Sequence, residues 1–183
     1  MKMKTLKEGI ITHADSLGEL FKFSAEHTCR SMLHSLEEFA NMEFVTFKEL
    51  TAGFFLGFEH YLWASGCSRN TSACYFRALR AICREAEKEK ELKDAKQLFS
   101  EVFMGYEETR KRALSIEQLR MVADADLEDT PSLGVARDLF ILSYYLRGIP
   151  FIDLAYLRKT DIQDNVLCYR RSKTGRMLTI TLE

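Results

Sequence analysis

The sequence predicts a mainly α-helical protein of two units that closes on a β-hairpin. Three observations carry this. Apolar residues recur at spacings of three and four through the first half, a capping box opens a second helical run near residue 115, and the last stretch, "VLCYRRSKTGRMLTITL", changes to strand character. With 183 residues, 46% of them hydrophobic and 29% charged, the chain can bury a proper core in one or two compact units.

Taken in order, "HTCRSMLHSLEEFANM" sets Met32, Leu33, Leu36 and Phe39 on one helical face, and "TAGFFLGFEHYLWASG" does the same with Phe54, Phe55, Phe58, Tyr61 and Leu62 before Ser65-Gly66 closes it. "RNTSACYFRALRAICREAEKEKE" is a further helix, with Ser68 or Asn70 as its cap and Tyr75, Phe76, Leu79, Ile82, Cys83 and Ala86 along one stripe. The charge-rich "KEKELKDAKQLFSEVFMGYEETRKR" loses this period and reads as a linker, which places the boundary near Lys111 and the two units at 1–110 and 111–183. Ser115 with Gln118 forms the capping box of a helix through Leu119, Val122 and Ala123. A helix from about Ser132 to Leu146, with Leu139, Leu142 and Tyr145 among its apolar positions, stops at Arg147-Gly148. Pro150 suits the first turn of the short helix "PFIDLAYLR", and the two closing runs flank the turn "SKTG" as a hairpin.

Composition narrows the function classes. A formal net charge of −1 confines any nucleic-acid binding to a local patch. "MKMKTLKEGIITHAD" lacks the long apolar core of a signal peptide and no run reaches membrane-spanning length, so a cytoplasmic location with no membrane partner is the expectation. Five cysteines, an odd set with no close CxxC pair, encode neither a disulfide framework nor a zinc site; they read as reduced thiols filling small gaps, and no metal is expected.

Two local patches stand out. Arg77, Arg80 and Arg84 recur at spacings of three and four away from the apolar stripe, and Arg69 precedes them at the helix start, where Asn70 and Thr71 add polar groups and backbone N–H groups attract phosphate. A solvated helix face has arginines too, but it usually mixes signs, and here no acidic residue occurs before Glu85. The hairpin turn holds the second patch, Lys173 with Arg170, Arg171 and Arg176. A third feature is Arg147, a permanent charge set in an otherwise apolar helical stretch, which needs either solvent or an anionic ligand.

In their order, "FEHYLWASGCSRNTSACYFRALRAICREA", "RALSIEQL", "ARDLFILSYYLRGIPFIDLAYLRKTDI" and "CYRRSKTGRMLTITL" resemble the tyrosine recombinases, or phage integrases, over almost the whole chain. The resemblance implies a SAM-like four-helix core-binding domain followed by the N-terminal part of an α+β catalytic domain that carries a β-hairpin. It also implies double-stranded DNA as partner, strand exchange through a covalent 3′-phosphotyrosine, no cofactor, and a homo-tetramer on DNA for the intact protein, with the fragment itself compatible with a monomer. Carried over residue by residue, Arg147 matches the first phosphate-binding arginine, Asp153 the acidic residue that follows it, and Lys173 the hairpin lysine that protonates the leaving 5′ oxygen. Arg69, Asn70, Thr71, Arg77, Arg80, Arg84, Arg171 and Arg176 are the candidate DNA contacts.

Two departures qualify this. The family's common form separates the arginine from its acidic residue by three positions, whereas Asp153 follows Arg147 by six, and alignment on "DLAYLR" puts Pro150 in the arginine's register. No histidine follows His60, so the family's HxxR and second arginine are not in the chain. Tyr144, Tyr145, Tyr156 and Tyr169 lie upstream of the nucleophile's place; Tyr145 and Tyr156 read as core and Tyr169 as a strand residue. The chain as given is therefore expected to be a truncated piece that binds DNA and is inactive alone, with no room for an arm-binding domain ahead of the first unit. The alternatives are a non-catalytic DNA-binding module that competes for recombination sites, and a helical protein-interaction module with solvated basic faces.

Overall fold

A reciprocal capping box starts the chain's first helix, which the apolar pattern alone does not announce. Thr5 Oγ1 accepts the Glu8 N–H at 3.1 Å, and Glu8 Oε2 accepts the Thr5 N–H at 2.9 Å, so α1 runs Leu6–Glu19. The structure, a computed structural model, describes residues 5–127 and 129–182. They divide into two compact units, Met1–Thr109 and Arg110–Glu183.

In the first unit, α2 (Phe23–Phe39) folds back on α1 through a turn in which Phe21 takes φ 56°. Thr51 caps α3 (Ala52–Ala64) by accepting the Phe54 N–H at 3.1 Å, and Gly66 at φ 84° turns the chain after it. Of the two candidate caps for α4 (Arg69–Lys88), Ser68 takes the role, accepting the Thr71 N–H at 3.2 Å. Leu6, Ile10, Met32, Leu36, Phe47, Phe55, Phe58, Phe76, Leu79 and Ile82 are buried together in one core. Phe55 and Phe58 meet Phe76 edge-on, and Phe55 stacks on Phe99 with ring centroids 4.6 Å apart. Gly9 admits the Phe47 ring, since a Cβ there would lie 2.5 Å from it.

The charge-rich stretch after α4 is not a linker over most of its length. Leu92, Ala95, Leu98, Phe99 and Val102 are buried in the first core, and residues Gln97–Phe99 form a 3-10 turn. The segment lacks a helical period because it crosses the bundle as irregular backbone; its apolar residues go inward and its lysines and glutamates outward. The thiols divide as well: Cys29 and Cys83 fill the core, but Cys74 and Cys168 are exposed. Burial and the nearby Glu87 carboxylate push the Cys83 thiol up to about 12.

In the second unit α5 (Ile116–Ala123) begins on the anticipated capping box of Ser115 and Gln118, and Pro131 opens α6 (Pro131–Tyr145). Pro150 is the cap of α7 (Phe151–Ala155), not a residue of its first turn. The hairpin pairs β2 (Val166–Arg170) antiparallel with β3 (Met177–Thr181), Cys168 opposite Thr179. A short strand unforeseen in the sequence, β1 (Ile162–Gln163), pairs with β2 across Asp164-Asn165, both at positive φ as a two-residue I′ turn requires. The sheet order is β1-β2-β3.

Burial corrects the reading of this unit's helices. Tyr145 and Tyr156 are 74% and 76% exposed, and Leu139 and Leu142 also face out. The second core is small: Leu146, Ile149, Leu154, Leu167, Tyr169 and Ile180. No α5 or α6 residue is fully buried, and although α5 packs on α6, most of the apolar side chains of α6 stay exposed.

Candidate functional site

The basic face of α4 is built as its period requires, with apolar residues inward and Arg77, Arg80 and Arg84 outward. The four arginines are not equivalent. Arg69 lies over the Trp63 ring at 4.8 Å and the Phe103 ring at 5.8 Å. Arg77 Nε donates to its own helix at Ala73 O (3.0 Å), and Nη2 reaches Gly105 O (3.4 Å). Asn70 is committed to the main chain of Glu107. Arg80 and Arg84 make no hydrogen bond or ion pair among the described residues, and Glu85, the nearest acid on the helix, is drawn to His13 Nδ1 at 3.0 Å. The free positive charge of the face is therefore centred on Arg80 and Arg84.

In the second unit α6 ends in a Schellman motif. The Arg147 N–H donates to Tyr144 O at 3.0 Å and the Gly148 N–H to Ser143 O at 2.8 Å. Arg147 occupies the position where glycine is usual, at φ 58°. Leu146 and Ile149 bury themselves on either side, and Ser143 Oγ donates to Ile149 O at 2.7 Å, so the turn is fixed and Arg147 is held outward in solvent. An L-residue pays about 1 kcal/mol or more for this backbone region. Arg147→Gly should accordingly raise the stability of this unit by about 1 kcal/mol, seen as a higher denaturant midpoint, while Arg147→Ala brings no such gain.

Asp153 and the hairpin tip come together. The Asp153 side chain, in a residue only 4% exposed, accepts the Ser172 N–H at Oδ1 (2.9 Å). The tip is closed by Arg171 N–H to Arg176 O (2.9 Å) and Gly175 N–H to Arg171 O (2.7 Å), with Gly175 at φ 66°. Lys173, one residue beyond the Asp153 contact, is exposed, as are Arg170 and Arg176. Arg171 turns inward instead: its Nε and the Oδ2 of Asp153 are buried without a hydrogen-bond partner among the described residues. Both act on Tyr169, whose phenol is raised by burial and by Asp153 and lowered by Arg171. No bond joins Arg147 to Asp153 or Lys173 among the described residues. There, too, no three His, Cys, Asp or Glu side chains gather as metal ligands, and no helix is long and apolar enough to cross a membrane.

The periodic reading sets arginines on the outer face of α4 but does not show that Asn70 and Arg77 are tied to main-chain groups or that Arg171 turns inward. Asn70 was legible only as a polar residue near a helix start, because its partner lies 37 positions away. Arg171 could have been separated from Arg170 by strand alternation, which sends neighbours to opposite faces.

The sequence model for the phage integrase SAM-like domain matches residues 6–101. Among solved structures, a lambda integrase tetramer bound to a Holliday junction superposes with a TM-score of 0.75 at 18% identity, over 97% of this chain and 51% of that one. A lambda integrase (75-356) dimer bound to a COC′ core site gives 0.74 at 17% identity, over 97% and 62%. The chain thus spans about half to three-fifths of the length of these lambda integrase chains. No curated protein sequence shows significant similarity to it.

Proposed function

As the chain belongs to the phage integrases and carries their SAM-like domain over residues 6–101, we propose that it binds duplex DNA through the α4 face and forms part of a site-specific recombinase. The observation that carries the DNA reading is the pair Arg80 and Arg84, two cations without a partner among the described residues, on a helix whose first turn has no acidic residue. Arg69, Thr71, Arg77 and the hairpin residues Lys173, Arg170 and Arg176 support it. In the intact protein, DNA is cut and rejoined through a 3′-phosphotyrosine, and copies work as a tetramer. Arg147 then stabilises the phosphorane's charge and Lys173 protonates the leaving 5′ oxygen. Residues 1–110 are the core-binding domain and 111–183 the first part of the catalytic domain.

The bare face of α6 supports reading the second unit as part of a larger domain. Leu133, Val135, Leu139, Phe140, Leu142 and Tyr145 are all exposed, a larger apolar display than an isolated soluble domain usually carries. Further catalytic-domain chain, supplying the HxxR and the nucleophilic tyrosine, is the natural cover for it.

The test is a salt titration. Each phosphate-contacting arginine releases about one counterion, so Arg80→Ala and Arg84→Ala should each flatten the log–log dependence of DNA affinity on salt by about one unit. Slopes and affinities identical to the wild type in both variants would leave α4 as a solvated face and remove the proposal's support.

A further inference from the structure

We propose that Asn70 is a positioning residue, the latch of a strap formed by residues 103–107, and that the closed strap fixes where the connecting chain leaves the first unit while DNA is bound. This rests on the DNA-binding reading above. The Asn70 carboxamide meets the Glu107 main chain on both sides: Nδ2 donates to Glu107 O at 2.7 Å, and Oδ1 accepts the Glu107 N–H at 2.8 Å. That is the double bond pattern one strand residue offers another, so a side chain takes the place of a neighbouring strand. The helix does not need Asn70 as a cap, because Ser68 already serves.

The rest of the strap is held with equal care. The carboxylate of Glu59, a residue 3% exposed, accepts the Phe103 N–H at 2.7 Å. The Phe103 ring lies under Arg69, and Gly105 leaves room for that ring, since a Cβ at 105 would come within 2.9 Å of it. Arg77 closes on Gly105 O. Irregular backbone is stable only when its polar groups are paired, and here side chains of α3 and α4 pair them. Asn70 and Arg77, both candidate DNA contacts, thus hold the chain's own backbone and Arg69 lies over the Phe103 ring, while Arg80 and Arg84 remain for phosphate.

The closed latch shortens the free tether to residues 108–114, ahead of the Ser115 cap. Opening it would let the tether begin near residue 103. The effective concentration of a tethered partner falls as about the −3/2 power of tether length, so engagement of the second unit on DNA should weaken about twofold from length alone.

Hydrogen exchange on the full chain, free and with a saturating 30-base-pair duplex, tests this alongside DNA titration. In Asn70→Ala the Glu107 amide should exchange about tenfold faster, the scale of losing the hydrogen bond from its N–H to Oδ1, with an unchanged melting temperature. DNA affinity should fall about twofold or more. Asn70→Asp keeps the acceptor for the Glu107 N–H but sets a carboxylate oxygen against the Glu107 carbonyl, so it should restore only part of the protection. Unchanged exchange in Asn70→Ala overturns the latch, and unchanged DNA affinity overturns its positioning role. Faster wild-type exchange of 103–107 on DNA would mean that phosphate displaces the strap, which also overturns the proposal. If the wild type fails to bind duplex at all, the DNA-binding reading falls and the DNA role of the strap with it, whereas the exchange result still decides whether the latch exists.

Discussion

Lys173→Ala, made in a protein that carries a complete catalytic domain, should slow single-turnover DNA cleavage by about a hundredfold or more, the scale of losing a general acid. The tip that carries Lys173 is tied down by its own turn and by Asp153, so the ammonium is presented by a fixed loop. A substrate with sulfur in place of the bridging 5′ oxygen separates the roles, because a thiolate departs without needing a proton. It should restore most of the rate in Lys173→Ala. Arg147→Ala should also lose about a hundredfold, since a charge stabiliser is gone, and sulfur should not rescue it. Near-normal cleavage by Lys173→Ala would eliminate it as the acid, and near-normal cleavage by Arg147→Ala would show that the six-residue spacing to Asp153 puts it outside the phosphate site.

Phe76→Ala should destabilise the first unit by about 3–5 kcal/mol. Its ring is fully buried and lies edge-on to Phe55 and Phe58 at 6.4 and 5.9 Å, so truncation leaves a cavity between helices that cannot close without moving both partners. Trp63, the chain's single tryptophan, reports urea unfolding of this unit. Phe44→Ala, at an exposed site of the same unit, should stay within about 0.5 kcal/mol in the same assay. A loss below about 1.5 kcal/mol for Phe76→Ala would mean that the aromatic cluster is loosely packed.

The helices legible in the sequence are those whose caps and periods agree. Ser115 with Gln118 and the stripe from Phe76 to Ala86 both appear where local chemistry places them. Residues 92–102 escaped because irregular backbone buries side chains without any period, and only the first unit's core explains where they go. Tyr145 and Tyr156 misled for the opposite reason: their spacing is that of a buried face, but spacing cannot say whether anything lies against it. In the candidate site, Arg147 was conspicuous as a charge among apolar neighbours, whereas its left-handed backbone follows from Leu146 and Ile149 both reaching the core. The bond from Ser172 to Asp153 spans 19 positions and has no local signature.

Among the described residues the sheet order β1-β2-β3 leaves β3 with one bonded neighbour, so its far side presents a row of main-chain donors and acceptors. Met177, Thr179 and Thr181 lie along it exposed, and none is a lysine, proline or bulge that would discourage another strand from adding there. An edge of that kind is a template on which β3 of one copy can continue the ladder of the next. A self-associating sheet of that kind has no natural stopping point unless the joined strands run antiparallel about a two-fold axis, which closes the pair as a dimer.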